Sequence, residues 1–166
     1  MSRYNTIIKN DVTNGEGVCV SFFVQGCPHH CKGCFNPETW DFTGGREMST
    51  EEIMKVIEAD PYANVTFTGG DPMYQCDGFA ELARAIHRRT NKDIWCYTGF
   101  TYESLITRAQ RELLELLDVL VDGPFIQNLR DPDLLFRGSS NQRLIDVQAS
   151  LYAGEVVLWQ PDVLIG

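Results

Sequence analysis

Apolar segments and helical patterns alternate along this chain, and this alternation is the strongest constraint on its fold. The run of residues 18–24 is almost continuously apolar, as expected for a strand that is buried on both faces. Further short strands are predicted at residues 64–68, 93–97 and 118–121, and a helical pattern precedes each of them. Strands that alternate with helices are typical of β/α units that build a parallel sheet.

Three helices are predicted between these strands. Ser49-Thr50-Glu51-Glu52 has the pattern of a capping box and starts the first of them. The second is expected over residues 78–89, and the third, which carries one apolar stripe, over residues 102–117. Residues 125–140 are polar and longer than most connections, which indicates a functional loop or lid. Two final strands are predicted at residues 144–147 and 156–159.

The length of the chain limits how far such a sheet can close. A chain of 166 residues is most simply one domain over residues 1–166. A complete eight-unit barrel needs about 250 residues, so this chain has room for about four or five units. We therefore expect an α/β fold, a partial and open β/α barrel with a mostly parallel sheet. Its uncovered side would admit a large substrate, such as a loop of another protein.

The charge balance argues against two classes of partner. A net charge of −9 disfavours nucleic-acid binding, which needs clustered Lys and Arg, and it disfavours an anionic membrane surface. No segment approaches the roughly 18 apolar residues that a membrane span requires. The first residues lack the apolar core of a signal peptide, so we expect a cytoplasmic protein.

Three of the six cysteines lie within one short segment that directly follows the first predicted core strand. Their spacing, Cys27-x3-Cys31-x2-Cys34, is too dense for an ordinary disulfide framework. Cys19 and Cys96 lie in predicted strands and are expected to be small buried hydrophobic residues with inert thiols.

Three thiolates on one loop favour a soft metal centre. A [4Fe–4S] cluster usually takes four cysteine ligands, so three would leave one iron open to an exogenous ligand. The alternative is a structural zinc site, for which His29, His30 or Cys76 could supply the fourth ligand. Apart from that alternative, no role is assigned to the two histidines.

Several further motifs are spread through most of the chain. They are Asn14-Gly15-Glu16-Gly17, Gln25-Gly26-Cys27-Pro28, Cys34-Phe35-Asn36-Pro37-Glu38-Thr39-Trp40, Thr68-Gly69-Gly70-Asp71-Pro72, Tyr97-Thr98-Gly99 and Asp122-Gly123-Pro124-Phe125. With the cysteine spacing, they make the chain similar to the radical S-adenosylmethionine (SAM) superfamily. More narrowly, it resembles the family of enzymes that activate anaerobic (class III) ribonucleotide reductase.

The resemblance implies a cofactor arrangement. Cys27, Cys31 and Cys34 would bind a [4Fe–4S] cluster, and the open iron would bind the amino and carboxylate groups of SAM. Many superfamily members have an aromatic residue just before the third cysteine, where this chain has Gly33. The adenine would therefore pack on the backbone at Gly33 and Cys34 or on a neighbour such as Phe35.

The candidate binding residues follow the predicted strands, where ligands of parallel β/α folds lie. By the resemblance, the backbone at Gly69 and Gly70, with Asp71 as a further candidate, would hydrogen-bond the SAM amino group. Tyr97 and Thr98 either line the adenosine or methionine of SAM or are turn residues. Asp122 either contacts the ribose or orders a nearby Lys or Arg.

Other residues keep two interpretations. Phe35, Trp40 and Phe42 either shield the cluster from water and oxygen or are generic packing. The polar segment 137–143 either holds the SAM carboxylate or a partner loop through Arg143, or is a surface turn.

The resemblance implies an oxidoreductase that cleaves SAM reductively and generates a glycyl radical on the large subunit of anaerobic ribonucleotide reductase. A flavodoxin-like or other one-electron donor would reduce the cluster. Two alternatives stay open. One is a small radical SAM enzyme acting on a metabolite, such as a carboxy-deazaguanine synthase, and the other is a non-catalytic interaction module stabilised by zinc.

Overall fold

A computed structural model describes residues 2–34, 37–41 and 44–161. The strands are β1 (Ser2–Asp11), β2 (Cys19–Val24), β3 (Arg46–Met48), β4 (Asn64–Gly69), β5 (Ile94–Tyr97), β6 (Val119–Asp122) and β7 (Arg143–Asp146). The helices are α1 (Thr50–Glu58), α2 (Cys76–Arg89), α3 (Arg108–Leu114) and α4 (Val147–Ala153). Short 3-10 turns occupy Pro37–Thr39, Pro72–Tyr74, Tyr102–Ser104 and Gln127–Leu129.

The strands form one mixed sheet of seven strands in the order β3-β1-β2-β4-β5-β6-β7. The central strands β2, β4, β5 and β6 run parallel, which confirms the β/α units predicted from the sequence. The prediction of a mostly parallel sheet is right only for this centre, because β1, β3 and β7 pair antiparallel. Antiparallel neighbours need no helical crossover, and none separates β1 from β2 or β6 from β7.

The predicted end of the chain differs from the structure. The strand expected at 144–147 ends one residue early, because the Asp146 side chain accepts a hydrogen bond from the Ala149 amide at 3.1 Å and caps α4. The strand expected at 156–159 is wrong for the described residues, where only an isolated bridge joins Leu158 to Ile145.

Helix α3 is shorter than the apolar stripe over residues 102–117 predicted. Thr107 and Gln110 form a capping box, which starts the helix at Arg108. The first residues of the predicted stripe instead form the turn Tyr102–Ser104. The buried Leu105 follows this turn. Within the part of the chain that the structure describes, none of the helices has the length and apolar character needed to cross a membrane.

The two faces of the sheet have different environments. One face packs against α1, α2 and α3 in the main hydrophobic core, to which β2 contributes Val20, Phe22 and Val24. The opposite face carries the buried polar side chains of Ser21 and Thr66. Two segments cover it instead of helices, residues 12–18 and residues 125–142, so this face is where a ligand can reach the sheet.

The capping box of α1 gives a first prediction. The Ser49 hydroxyl accepts a hydrogen bond from the Glu52 amide, and the Glu52 carboxylate accepts one from the Ser49 amide. Ser49→Ala should lower the free energy of unfolding by about 1 kcal/mol, whereas Ser49→Gly should lower it by only a few tenths. Urea denaturation followed by circular dichroism checks both values. Equal losses for the two variants would contradict a capping role.

Candidate active site

The loops that follow the four parallel strands are tied together at one edge of the sheet. The Gly70 amide donates to the Val24 carbonyl at 2.9 Å, and the Asp71 amide donates to the Gly26 carbonyl at 2.9 Å. Further along the edge, the Thr98 amide donates to the Val121 carbonyl at 2.9 Å. The motifs predicted to lie at strand ends therefore share one edge, as the parallel arrangement requires.

The cysteine loop, residues 25–34, begins directly after β2. Cys27, Cys31 and Cys34 are half-buried and are not in disulfides. A turn joins the last two, in which the Cys34 amide donates to the Cys31 carbonyl at 3.1 Å. Gly33 has φ +76°, a left-handed conformation that suits glycine, and a Cβ at this position would lie 3.1 Å from Cδ of Gln127.

The environment of the thiols affects their protonation. Burial raises the pKa of the Cys27 thiol to about 11, although hydrogen bonds from the backbone amides of His29 and His30 act in the opposite direction. Burial also raises the pKa of Cys31, against a hydrogen bond from the Phe125 amide. A metal would therefore have to displace protons from these sulfurs as it binds.

The donor set of the loop fits a thiolate-bound metal centre. Among residues 2–34, 37–41 and 44–161, no three His, Cys, Asp or Glu side chains are already gathered as a metal-binding group. The loop nevertheless offers three soft sulfur donors, none of which is in a disulfide. Three such donors suit an iron–sulfur cluster, and with a fourth ligand they suit zinc. Cys76, one candidate for that fourth ligand, is in the main hydrophobic core.

Two glycines hold the turn after β4 close to the cysteine loop. Gly69 has φ +97°, and a Cβ there would lie 2.6 Å from the Cα of Phe23. A Cβ on Gly70 would overlap the carbonyl oxygen of Gly26. The backbone of this turn therefore requires glycine at both positions, Gly69 where it approaches the end of β2 and Gly70 where it approaches the cysteine loop.

Asp71 is fully buried, and groups from three segments bind its carboxylate. Its oxygens accept hydrogen bonds from the Met73 amide at 3.0 Å, the Thr98 hydroxyl at 2.8 Å and the Gly99 amide at 2.9 Å. A fourth contact joins Oδ2 to Nε2 of His29 at 2.6 Å. The predicted site residues Asp71 and Thr98 thus bind each other, and the carboxylate links the cysteine loop to the ends of β4 and β5.

Asp122 forms an ion pair at the end of β6. Its Oδ2 lies 2.6 Å from Nη2 of Arg143, and the same guanidinium binds Glu103 at 2.7 Å. The Tyr102 amide also donates to Asp122, at 2.7 Å. Asp122 was expected either to contact the ribose or to order a nearby Lys or Arg, and in the structure it lies against Arg143. The carboxylates of Asp122 and Glu103 together occupy the Arg143 guanidinium.

A cavity of about 380 Å³ opens on the sheet face that lacks helices. Thr68 and Tyr97 line it from the ends of β4 and β5, and Asn14 lines it from the segment after β1. Phe125, whose amide faces the Cys31 sulfur, is also in the lining. The volume lies within the range of about 300–1,000 Å³ typical of small-molecule sites. The cavity and the cysteine loop therefore share a wall.

Two residues at this site take positions that the sequence did not predict for them. Nε of Arg137, which lines the cavity, is buried and has no hydrogen-bond partner among the described residues. His29 joins the cysteine loop to Asp71, and its position inside the cysteine motif was the only local signal for it. The expectations for Phe35 and Phe42 fall on residues outside those described, while Trp40 stacks on His30 with ring centroids 4.5 Å apart.

Comparison with known proteins identifies similar chains. The sequence matches the 4Fe-4S single cluster domain family over residues 13–145. Proteins named anaerobic ribonucleoside-triphosphate reductase-activating protein are 38% identical in Salmonella typhimurium and 40% identical in Vibrio cholerae. Each alignment covers 149 residues, which is 84% of this chain and 96% or 95% of the relative. A protein of the same name from Enterobacteria phage T4 is 37% identical over 86% of this chain and 92% of its own length.

The close backbone approach at Gly70 gives a second prediction. Gly70→Ala should lower the free energy of unfolding by about 1–3 kcal/mol, because the new methyl group must displace the backbone at Gly26. Gly78→Ala, in the first part of helix α2, should instead raise it by up to about 1 kcal/mol. Urea denaturation of both variants checks the difference. A Gly70→Ala protein as stable as the parent would show that the turn can move away from the cysteine loop.

Proposed function

We propose that this chain, which belongs to the 4Fe-4S single cluster domain family and to the family of anaerobic ribonucleoside-triphosphate reductase-activating proteins, is a radical SAM activase. Its substrate is then the large subunit of an anaerobic ribonucleotide reductase, on which it generates a glycyl radical. The observation that carries the proposal is the position of the loop with three thiols beside a cavity of about 380 Å³. Phe125 lines this cavity, and its amide faces the Cys31 sulfur.

Cys27, Cys31 and Cys34 would bind the cluster, with one iron left for SAM. When bound, a reduced [4Fe–4S] cluster supplies the electron that splits the S–C5′ bond of SAM into methionine and a 5′-deoxyadenosyl radical, which takes a hydrogen atom from a glycine Cα of the reductase. The backbone amides of His29, His30 and Phe125 donate to the cysteine sulfurs and would stabilise them as thiolates.

The turn after β4 would receive the amino group of SAM. The amides of Gly70 and Asp71 are already used to hold the cysteine loop. The amino group of SAM donates through its N–H bonds, so the carbonyl oxygens at Gly69 and Gly70 are its natural partners. Asp71 would act indirectly, because its oxygens already accept four hydrogen-bonding groups of the protein.

The cavity would hold the rest of SAM. Tyr97 lines the cavity, and its hydroxyl is held by the Phe136 carbonyl at 2.6 Å. The adenine would pack along the backbone at Gly33 and Cys34, with Phe35 as the neighbouring aromatic residue. The unpartnered Nε of Arg137 would bind a carboxylate, a role that Arg143 cannot fill while Asp122 and Glu103 hold it.

The open side of the sheet would admit the partner. Among the described residues, two non-helical connections cover this face of the sheet, residues 12–18 and the loop 125–142. A flexible glycine-containing loop of the reductase could reach the cavity from that side, while a flavodoxin-like donor supplies electrons. None of the six cysteines is in a disulfide, which supports a reducing, cytoplasmic setting.

Radical formation tests the proposal directly. Protein reconstituted anaerobically with iron and sulfide should contain about four irons per chain. With SAM, a one-electron reductant and the reductase, it should form methionine and 5′-deoxyadenosine in equal amounts and produce a glycyl signal in electron paramagnetic resonance. Cys31→Ser should abolish both the cleavage of SAM and the glycyl signal. Stoichiometric zinc in place of iron, or radical formation by Cys31→Ser, would contradict the proposal.

Cys76→Ser is the matched control. It also removes one thiol, but a serine hydroxyl can replace the thiol that donates to the Met73 carbonyl. Iron content and glycyl signal should stay within about twofold of the parent. Loss of the metal in this variant would instead favour a four-ligand site that includes Cys76.

A further inference from the structure

His29 is the one side chain of the cysteine loop that reaches a fully buried carboxylate. Its Nε2 lies 2.6 Å from Oδ2 of Asp71, which has no exposed surface. A carboxylate at this position only accepts, so Nε2 carries the hydrogen and donates it. Because the other partners of Asp71 are fixed on the turns after β4 and β5, the imidazole is attached to the rigid part of the sheet.

The imidazole of His29 is held by packing against aromatic rings in addition to its hydrogen bond. The imidazole meets the ring of Phe100 edge to face, with centroids 4.8 Å apart and an angle of 79° between the planes. The ring of Tyr74, which stacks on Phe100, also lies edge to face with the imidazole at 6.3 Å. These contacts leave the ring with about a fifth of its surface exposed, 19%.

Gly99 provides the space for this ring. A Cβ at Gly99 would lie 2.5 Å from Cδ2 of His29 and 2.7 Å from its Nε2. Its three nearest neighbours would all be atoms of the same imidazole. The φ angle of Gly99 is outside the left-handed range, so alanine is compatible with the backbone and the requirement for glycine comes from His29.

The backbone of His29 contacts a proposed metal ligand. The amides of His29 and His30 face the sulfur of Cys27. The ring of His30 instead stacks on Trp40, with 10° between the ring planes, whereas Asp71 binds the ring of His29. The side chain of His29 therefore determines where at least one of the amides that face Cys27 can lie.

We infer that His29 is a positioning residue for the cluster: Asp71 holds its imidazole, and this contact holds the Cys27 sulfur in the orientation that binds iron. The inference rests on the proposed function and extends it. It gives Asp71 the role of holding the cysteine loop in place through His29. Groups that orient metal ligands typically contribute 10- to 100-fold to metal affinity or activity. Hydrogen bonds to cluster sulfurs also affect the reduction potential.

Variants of His29 test the inference on the reconstituted protein. His29→Phe keeps an aromatic ring but loses the donor to Asp71, so a strong iron chelator should remove its iron about 10- to 100-fold faster than from the parent. The reduction potential of its cluster should be more negative, because fixed amide hydrogen bonds to sulfur favour the reduced state.

His29→Gln should restore most of the chelator resistance and of the potential, since an amide nitrogen can replace Nε2 as the donor. His87→Gln is the remote control, because His87 lies in the last turn of α2 and binds the Leu116 carbonyl at 2.7 Å, and it should match the parent.

A double-mutant cycle with Gly99 separates positioning from general stability. Gly99→Ala alone should speed iron release, because its methyl group displaces the imidazole. In a His29→Ala background the same change should add less than about twofold, since the space is then free. The cycle also keeps the test valid if His29→Phe folds poorly.

The outcomes distinguish this inference from the proposed function. Parent protein that forms no iron–sulfur cluster would overturn both. A parent cluster with His29→Phe equal to the parent in iron release and potential would overturn only the positioning role. Additive effects of Gly99→Ala and His29→Ala would do the same, because they would show that the two residues act independently.

Discussion

The Asp71 carboxylate is the interaction on which the edge of the sheet depends. A buried charge is costly to remove from water, by several kcal/mol even after relaxation, unless donors surround it. Here the donors come from the cysteine loop, the turn after β4 and the turn after β5, so the carboxylate is satisfied only when all three are in place. One side chain thus makes three loops a single unit, and the cysteine loop takes its position from it.

The two faces of the sheet have different roles. One packs in the core that stabilises the fold, and the other carries the candidate site. Its helix-covered face is dry and apolar, with Phe22, Phe67 and Phe79 fully buried. The opposite face carries polar groups such as Ser21 and Thr66, which are paired with Asp11 and with the Asn14 carbonyl. Loops close this second face only in part, which leaves the cavity beside the thiols. A rigid scaffold that positions loops in this way is a common basis for binding and catalysis.

Local signals in the sequence predicted the elements that depend on local chemistry. The Ser49 capping box and the central strands are where the patterns indicated, because capping and burial leave a direct record in neighbouring residues. Strand β1 was not predicted, since its exposed polar residues hide the alternation, and the apolar stripe hid the true start of α3 at Thr107. Similarly, the cysteine spacing indicated a metal loop, whereas the partner of His29 is 42 residues away.

The sequence by itself determined the alternating β/α order, the three-thiol loop and the glycines that let backbones approach each other, because each of these is a property of adjacent residues. The tertiary structure alone decided which charged groups meet. It joined Asp71 to His29 and Asp122 to Arg143, and it left Nε of Arg137 without a partner beside the cavity in the part of the chain described. The physical reason is that hydrogen-bond partners are chosen by distance in the folded chain, and only the packed sheet brings separate strand ends within a few ångströms of one another.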